Sequence, residues 1–394
     1  MQNWPQNPTD PAFVQNPYPA YEVARAQASV QYWPAYGMTA VFSNTIATAV
    51  LRDRRFGREP LEPVSFPAHL EPFYAIEAHS MLELEPPRHK RLRSLVLRAF
   101  TSRRIKSLGP EIATLCDELL DQIPGDAPFD LIETYATPIP IIIICRLLGV
   151  PEDMAAQLLQ WSNDMVAMYQ ARRDRAIEER AAQAASDFAA FIRSYIAEKR
   201  LKPADDLITQ LIAAEEDGEK LSTEELISTC ILLLNAGHEA TVHTIGNGVK
   251  TLLEEEVDPV FLDESHIEAT VEEIIRFDPP LHIFTRYCYE TVEIGRSVFK
   301  RGDEIAVMLG AANRDEAVWE HAQRFNPARP VQTNTSFGGG IHFCVGAPLA
   351  RLELQIAIPK LFARFPDMRI VEAPKYANLY HFHGLERLML SAND

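Results

Sequence analysis

The sequence has no apolar run long enough to cross a membrane and no set of cysteines that suggests a disulfide framework. A membrane-spanning helix needs ~18 or more consecutive apolar residues, and the nearest candidate, residues 139–150, contains Pro140 and Arg146. The five cysteines are odd in number and scattered along the chain, which favours reduced thiols in a cytosol. Residues 1–5 are polar, proline-broken and without Lys or Arg, unlike a secretory signal. We therefore expect a cytoplasmic protein without a membrane anchor.

Positive charge is also scarce, except in one stretch. The formal net charge is −17, which argues against generic nucleic-acid binding. Residues 88–106 nevertheless carry eight Lys and Arg side chains and no acid. A solvated helix face would explain this stretch, and so would a docking surface for an acidic partner. The candidate docking residues are Arg91, Arg98, Arg103, Arg104 and Lys106.

The pattern of apolar residues predicts a mainly helical chain with small β regions. Residues 112–202 show mostly helical periodicity, whereas alternation near residues 30–42 and 292–307 predicts short strands. The sequence Ser222-Thr223-Glu224-Glu225 is a capping box, and it opens a helical pattern over residues 226–256. Because no repeat, low-complexity segment or linker interrupts the chain, we expect one domain over residues 1–394.

Residues 337–346 read Phe-Gly-Gly-Gly-Ile-His-Phe-Cys-Val-Gly. Three consecutive glycines let a backbone turn sharply and lie against something flat. A helix start follows Cys344, with Pro348 in its first turn. The free N–H groups of a helix N-terminus stabilise a thiolate. The loop therefore suits a metal held in a large planar ligand.

Other interpretations of this loop compete with that one. Glycine triplets are often only hinges, and a single cysteine is often a small buried apolar residue. A zinc site could use His342 and Cys344, but the chain contains no Cys-x-x-Cys pair. A phosphate-binding loop would need Gly-Lys-Ser/Thr or a preceding strand of a βαβ unit, and neither is evident.

Three further patterns place polar residues on helices. His89 and Arg93 are four residues apart and therefore share a helical face, and Glu273 and Arg276 are three apart and can pair. Both patterns also occur on ordinary solvated surfaces. The segment 235–241, in the middle of the long predicted helix, contains a glycine and a glutamate. Glycine costs ~1 kcal/mol there relative to alanine, and a carboxylate in an apolar run needs a partner or a task.

The string 337–346 matches the haem-binding signature F-G-x-G-x-H-x-C-x-G of the cytochrome P-450 family at every specified position. With the His-x-x-x-Arg, Ala-Gly-x-Glu and Glu-x-x-Arg motifs in family order, the resemblance covers residues 16–388. It implies the family's fold, in which a long central helix and the cysteine loop sandwich haem b. It also implies that Cys344 is the axial ligand of the haem iron.

The resemblance implies roles for three further groups of residues. The residues expected to bind haem are His89, Arg93, Arg286, Phe337, Gly338, Gly340, His342 and Gly346. The residues expected at the oxygen-binding site are Gly237, Glu239, Ala240 and Thr241. Glu273, Arg276 and Arg329 are expected to form a structural cluster behind the haem.

One position departs from the family pattern. The alcohol that normally follows the acid of the distal motif is Ala240 here, and the hydroxyl appears one residue later, at Thr241. A shift of one residue rotates a side chain by roughly 100° about a helix, so Thr241 cannot simply substitute. Some members of the family also carry alanine at this point. We therefore expect proton delivery through ordered water, Glu239 or a polar group of the substrate.

The resemblance implies a soluble monooxygenase that hydroxylates or otherwise oxidises a small, mostly apolar molecule. O₂ is the expected co-substrate, and electrons are expected from NAD(P)H through a ferredoxin and its reductase. We expect a monomer. A peroxide-driven oxygenase and a haem sensor or carrier without turnover are the alternatives. The residues expected to line the substrate pocket are Phe73, Val166, Leu232, Asn235, Ala236, Leu281, Ile283 and Phe382.

Overall fold

Helices make up more than half of the computed structural model, which describes residues 1–394 except 64, 171–172, 217–218, 381 and 393–394. The predicted mainly helical class is therefore confirmed. The α-helices are α1 (Pro11–Gln15), α2 (Tyr18–Gln27), α3 (Asn44–Arg52), α4 (Glu71–Glu77), α5 (Arg88–Ala99), α6 (Ser102–Ser107), α7 (Gly109–Gln122), α8 (Pro138–Leu148), α9 (Ala155–Val166), α10 (Arg175–Leu201), α11 (Leu207–Ala213), α12 (Thr223–Glu254), α13 (Ile267–Phe277), α14 (Leu309–Ala312) and α15 (Ala347–Arg364).

The strands are short. They are β1 (Val30–Trp33), β2 (Met38–Val41), β3 (Phe56–Gly57), β4 (Phe129–Asp130), β5 (Glu215–Glu216), β6 (Glu219–Lys220), β7 (Ile283–Cys288), β8 (Val292–Ile294), β9 (Ser297–Phe299), β10 (Glu304–Met308), β11 (Arg369–Ile370), β12 (Lys375–Tyr376), β13 (Leu385–Arg387) and β14 (Met389–Ser391). Single turns of 3₁₀ helix occupy Ala68–Leu70, Glu152–Met154, Ala167–Tyr169, Pro259–Leu262 and Gly340–His342, and a π-helical turn occupies Ile132–Ala136.

Residues 1–57, 112–137 and 240–394 form one compact unit, called here the first unit. Its largest sheet has the strand order β1-β2-β10-β7-β3. Strand β10 runs parallel to β2 and antiparallel to β7. Because successive side chains of a strand point to opposite faces, Val307 packs in one apolar cluster and Ala306 in another. This sheet is therefore buried on both faces, and its strand β7 carries Arg286.

Residues 58–111 and 138–239 form the second unit. Helix α10 contacts α4, α9 and α11, and α11 contacts α5 and α8. The isoleucine-rich helix α8 is buried along most of its length, as expected from its sequence. The first half of α12 belongs to this unit and the second half, from residue 240, to the first unit.

Local sequence signals account for the start of α12 and for the first hairpin. The Ser222 hydroxyl accepts the N–H of Glu225 at 3.2 Å, and the Glu225 carboxylate accepts the N–H of Ser222 at 2.9 Å. The predicted capping box is therefore confirmed, and α12 follows it. The predicted hairpin near residues 30–42 is also confirmed, with Val30 opposite Val41.

Two segments show how proline and glycine shape local structure. Residues 56–80 are rich in proline, yet they contain α4. Pro72 lies in the first turn of that helix, where its missing N–H costs no hydrogen bond. Residues 292–307, which were predicted to form short strands, contain β8, β9 and most of β10, and Gly295, with a φ of +62°, forms the turn between β8 and β9.

Candidate active site

The loop around Cys344 turns on two glycines in the left-handed region, Gly338 with a φ of +71° and Gly340 with a φ of +65°. The N–H of Cys344 donates to the Phe337 carbonyl at 3.0 Å and closes the loop. Helix α15 begins three residues after Cys344. The thiol is exposed and lies just ahead of a helix N-terminus, where a thiolate is favoured.

The glycines of this loop also permit close packing inside the first unit. A Cβ atom on Gly340 would lie 2.5 Å from the backbone oxygen of Leu51, and one on Gly338 would lie 3.0 Å from the Phe284 ring. The missing side chains therefore face α3 and β7. The sequence predicted a bare surface for a flat ligand, but at these two positions the packing of the loop against its own protein already requires glycine.

The other four cysteines are buried. Burial raises the pKa of Cys116 to about 11 and the pKa values of Cys145 and Cys230 to about 12. These thiols are therefore protonated and shielded at neutral pH, whereas Cys344 is accessible. An exposed thiol on a tightly packed loop fits the axial ligation of haem iron that the sequence implies.

Other residues expected to bind haem lie in the same unit. Arg286 is a buried residue of β7 whose guanidinium donates to the Thr285 carbonyl at 2.8 Å. His342 ends the 3₁₀ turn that precedes Cys344. Phe337 stacks under the Arg351 guanidinium at 4.5 Å. A Cβ on Gly346 would lie 3.8 Å from the sulfur of Cys344, an ordinary van der Waals distance, so Gly346 is close to the thiol but packing there does not require glycine.

Glu273, Arg276 and Arg329 come together in a buried ion cluster. The Glu273 carboxylate accepts two bonds of 2.7 Å from Arg276 and one of 3.1 Å from Arg329. Arg276 also donates to the carbonyls of Asn313 and Ala322, at 2.8 and 3.0 Å. With only 1% of the Arg276 surface exposed, this cluster ties α13 to the chain that leads into the cysteine loop.

The middle of α12 carries the predicted oxygen-binding motif. A Cβ on Gly237 would lie 3.4 Å from Ile144 of α8, so this position faces a neighbouring helix of the second unit. Thr241 is buried, whereas Glu239 and Ala240 are half-buried. The Ala240 carbonyl accepts the Thr244 hydroxyl at 2.6 Å. Thr241 and Ala240 thus occupy different sides of the helix, as the departure from the family pattern predicts.

Helix α5 of the second unit carries the other predicted haem residues. His89 is buried and Arg93 is half-buried, one turn apart. Two of the five candidate docking residues are already paired with acids of this protein, which the sequence did not predict. Arg91 forms an ion pair with Glu225, and Arg104 pairs with Asp205 at 3.4 Å. Both acids lie far along the sequence, so the composition of residues 88–106 alone could not reveal them.

The predicted pocket residues fall in both units. Phe73, Val166, Leu232, Asn235 and Ala236 belong to the second unit, and Leu281, Ile283 and Phe382 belong to the first. Asn235 approaches the sulfur of Met165 at 3.7 Å. Leu281 and Phe382 form an isolated antiparallel bridge.

Ile283 does not fit the pocket role predicted for it. Its side chain packs in an apolar cluster with Trp33, Ala306 and Met308, because β7 presents this position to the N-terminal core. The packing therefore assigns Ile283 to the core. The preceding residue, His282, is also fully buried.

His282 belongs to a buried polar cluster that the sequence did not reveal. The Asp278 carboxylate accepts the hydroxyls of Tyr18 and Tyr376, each at 2.5 Å. The Nδ1 atom of His282 lies 2.8 Å from the Tyr21 hydroxyl. His383 lies 3.4 Å from Asp278. These residues are distant in sequence and match no short motif, so only the fold brings them together.

Asp278, His282 and His383 could hold a metal ion by distance alone. However, both oxygens of Asp278 already accept tyrosine hydroxyls. The Nδ1 atom of His282 is likewise within hydrogen-bond distance of the Tyr21 hydroxyl. We therefore assign this cluster to the stability of the first unit. His381, the other histidine of this segment, lies outside the described residues.

Within the described part of the chain, no helix combines the length and the apolar character that crossing a lipid bilayer requires.

Comparison with known proteins identifies the family. A model of the cytochrome P450 family matches residues 36–256 and 265–369. Cytochrome P450 107B1 of Saccharopolyspora erythraea is 41% identical over 314 residues, 78% of this chain and 76% of that protein. The 6-deoxyerythronolide B hydroxylase of the same organism is 37% identical over 335 residues, 82% of each chain.

A solved structure is similar over almost the whole chain. P450BioI, in complex with an acyl carrier protein that carries hexadec-9Z-enoic acid, superposes with a TM-score of 0.92 at 32% identity. The match covers 96% of this chain and 98% of that one. Membership of this family implies a haem cofactor and O₂ as co-substrate. The chain belongs to the cytochrome P450 family and is a monooxygenase.

Proposed function

We propose that this monooxygenase hydroxylates a small, mostly apolar organic molecule, with electrons that originate from NAD(P)H and arrive through a ferredoxin and its reductase. The exposed Cys344 thiol, held by a tightly packed loop ahead of α15, is the observation that carries the proposal. A haem bound through such a thiolate supplies the chemistry of O–O bond cleavage.

The remaining residues hold the cofactor and control its surroundings. In this proposal Arg286, His89 and Arg93 bind the haem propionates, because guanidinium and imidazole N–H groups donate hydrogen bonds to carboxylates. The N-terminus of α15, just after Cys344, favours the thiolate form of its sulfur. The cluster of Glu273, Arg276 and Arg329 stabilises the chain that positions the cysteine loop.

The proposal that Cys344 is the axial ligand of the haem iron can be tested by absorption spectroscopy. Reduced protein with carbon monoxide should give the red-shifted absorption band of thiolate-ligated haem, and Cys344→Ser should abolish that band. Cys288→Ser is the matched control, because the Cys288 sulfur is buried and bonded to the Glu290 carbonyl at 2.9 Å. A histidine-like spectrum that survives Cys344→Ser would refute the proposed function.

The electron donor docks, in this proposal, on the exposed cations of α5 and α6. Arg98, Arg103 and Lys106 remain exposed after Arg91 and Arg104 form their ion pairs. Leu97, which is 46% exposed among them, supplies an apolar contact. Charged surfaces of this kind accelerate the association of an oppositely charged partner, and salt screens the effect.

Charge reversal tests this surface. Arg98→Glu, Arg103→Glu and Lys106→Glu together should slow the rate of reduction by ferredoxin about tenfold or more at low ionic strength. The difference should shrink as salt is added. Lys202→Glu and Arg296→Glu, at other exposed positions, are the controls. An equal effect of the controls would show that only net charge matters.

A peroxide-driven oxygenase is the second candidate, and Ala240 favours it because the distal motif lacks its usual alcohol. Substrate-dependent NADH consumption with ferredoxin and its reductase, coupled to product formation, supports the monooxygenase. Turnover with hydrogen peroxide but not with reduced ferredoxin supports the second candidate. Tight ligand binding without turnover by either route would indicate a carrier.

A further inference from the structure

The amide of Asn235, on α12 of the second unit, lacks a good hydrogen-bond partner. Its Nδ2 atom lies 3.7 Å from the sulfur of Met165, and a thioether is only a weak acceptor. Its Oδ1 atom is buried and has no hydrogen-bond partner among the described residues. With the two amide atoms exchanged, Oδ1 would face the sulfur, which has no proton to donate, so the orientation with Nδ2 toward Met165 is preferred.

Helix α9 presents a second buried polar group of this kind. Ser162 is 1% exposed, and its hydroxyl has no partner within the described part of the chain. It precedes Met165 by one helical turn and therefore lies on the same face of α9. The neighbours of Ser162 on that face, Leu158, Met165 and Val166, are apolar and buried. Polar atoms without partners thus occur in an otherwise apolar part of the second unit.

The surface of α12 is open beside Asn235. Ala236 is exposed although Leu233, Leu234 and His238 around it are buried. An exposed alanine in the interior of a long buried helix indicates space next to the helix. A buried carbonyl without a partner costs about 1–3 kcal/mol, so a ligand that donates a hydrogen bond there gains affinity.

We propose that Asn235 selects substrates that already carry an alcohol, whose O–H donates to the Asn235 Oδ1 atom while the rest of the molecule is apolar. This inference rests on the proposed function, because it concerns the substrate of the same monooxygenase. The group that the site recognises is a hydrogen-bond donor. A ketone, which can only accept, therefore satisfies Oδ1 no better than an alkane does.

A series of probes with one carbon skeleton tests the proposal. Cyclododecanol, cyclododecanone and cyclododecane are titrated calorimetrically into the haem-loaded protein. The wild type should bind the alcohol about 10–100-fold more tightly than the alkane, with the ketone close to the alkane. Asn235→Leu should abolish this preference and bind the alkane at least as well as the wild type does.

Two more variants complete the experiment. Asn235→Asp keeps an acceptor oxygen at the same place and should retain the preference for alcohol over ketone. This variant therefore still tests the role of the acceptor if Asn235→Leu does not fold. Asn378→Leu is the matched control, because the Oδ1 atom of Asn378 is also buried without a partner among the described residues but lies in the first unit. This control should leave the preference unchanged.

The results separate this inference from the proposed function. Every preparation is first checked for the thiolate-haem band with carbon monoxide, and its absence refutes the proposed function. A normal band with equal affinity for alcohol and alkane overturns only the role of Asn235. Retention of the alcohol preference by Asn235→Leu, or failure of all three probes to bind, also overturns it.

Discussion

The ion cluster around Glu273 and the amide of Asn235 are both buried polar sites, but they differ in their partners. Glu273 accepts bonds from two arginines and from the N–H of Asn326. Asn235 has only a sulfur atom within reach of its Nδ2 and no partner for its Oδ1 in the described chain. A buried polar group without a partner costs free energy in the unliganded protein. The first site is therefore complete without a ligand, whereas the second gains from one.

Breaking the complete cluster should have the largest effect. Arg276→Leu leaves the buried Glu273 carboxylate with Arg329 and the N–H of Asn326, and it removes three bonds to backbone carbonyls. The free energy of unfolding should fall by about 3–5 kcal/mol, the usual cost of an uncompensated buried charge. Urea denaturation measures this change. Arg329→Leu should cost less, because the Arg329 side chain is partly exposed. If Arg276→Leu lowered the free energy of unfolding by less than about 1 kcal/mol, the partners of Glu273 would matter little, and the contrast with Asn235 would be wrong.

Glu353 of α15 tests whether an unpartnered carboxyl behaves differently from Glu273. Both of its oxygens are buried without partners among the described residues, and burial raises its pKa to about 8. Between pH 5 and 8 the unfolded chain releases this proton and the folded chain keeps it, so stability falls as pH rises. The expected slope is about 1.4 kcal/mol per pH unit. Glu353→Gln should remove it.

The contribution of Glu353 is measured as the difference between variant and wild-type unfolding free energies at each pH. This difference cancels the titration of all other groups. A difference that does not vary between pH 5 and 8 would mean that Glu353 is ionised in the folded protein and has a partner.

His383, in the buried polar cluster around Asp278, should make stability depend on pH in the opposite direction. Burial, with the nearby charge of Lys250, lowers the pKa of His383 to about 3. Below pH 6.5 the unfolded chain binds a proton that the folded chain excludes, so stability falls as the solution becomes more acidic. At pH 5.5 the exclusion of this proton from folded His383 should lower the free energy of unfolding by about 1.4 kcal/mol relative to neutral pH. His383→Gln should reduce the acid slope between pH 6.5 and 5. An unchanged slope would show that folded His383 is protonated normally.

The sequence predicted local elements well where one short signal decides the structure. The capping box at Ser222 and the hairpin of β1 and β2 are of this kind. The spacing of Glu273 and Arg276 was also enough to suggest their pairing. The resemblance to a family, rather than local physics, supplied Arg329 and the role of Cys344.

The sequence failed where tertiary contacts decide the structure. The partners of Arg91 and Arg104 lie more than a hundred residues away in the chain. Ile283 alternates correctly as a strand residue, but only the packing of β7 shows that it faces the core. The lack of a partner for the Oδ1 atom of Asn235 among the described residues is likewise a property of the fold.

The smallest expected change in stability is that of Asn235→Leu, and it tests directly whether the Asn235 amide, unlike Glu273, lacks good partners. Asn235→Leu replaces an amide that has no good partner with an apolar side chain of similar size, so the unliganded protein should become more stable by about 1 kcal/mol. Asn247→Leu is the same substitution on the same helix, and the Oδ1 atom of Asn247 is also buried without a partner among the described residues. Asn247 donates to the carbonyls of Asp278 and His383, at 3.2 and 2.8 Å. Asn247→Leu should therefore lower the free energy of unfolding by about 1–3 kcal/mol. Urea denaturation of both variants measures these opposite signs. Equal destabilisation would show that Asn235, like Asn247, serves the fold, and that a buried carbonyl without a partner does not mark a ligand site here.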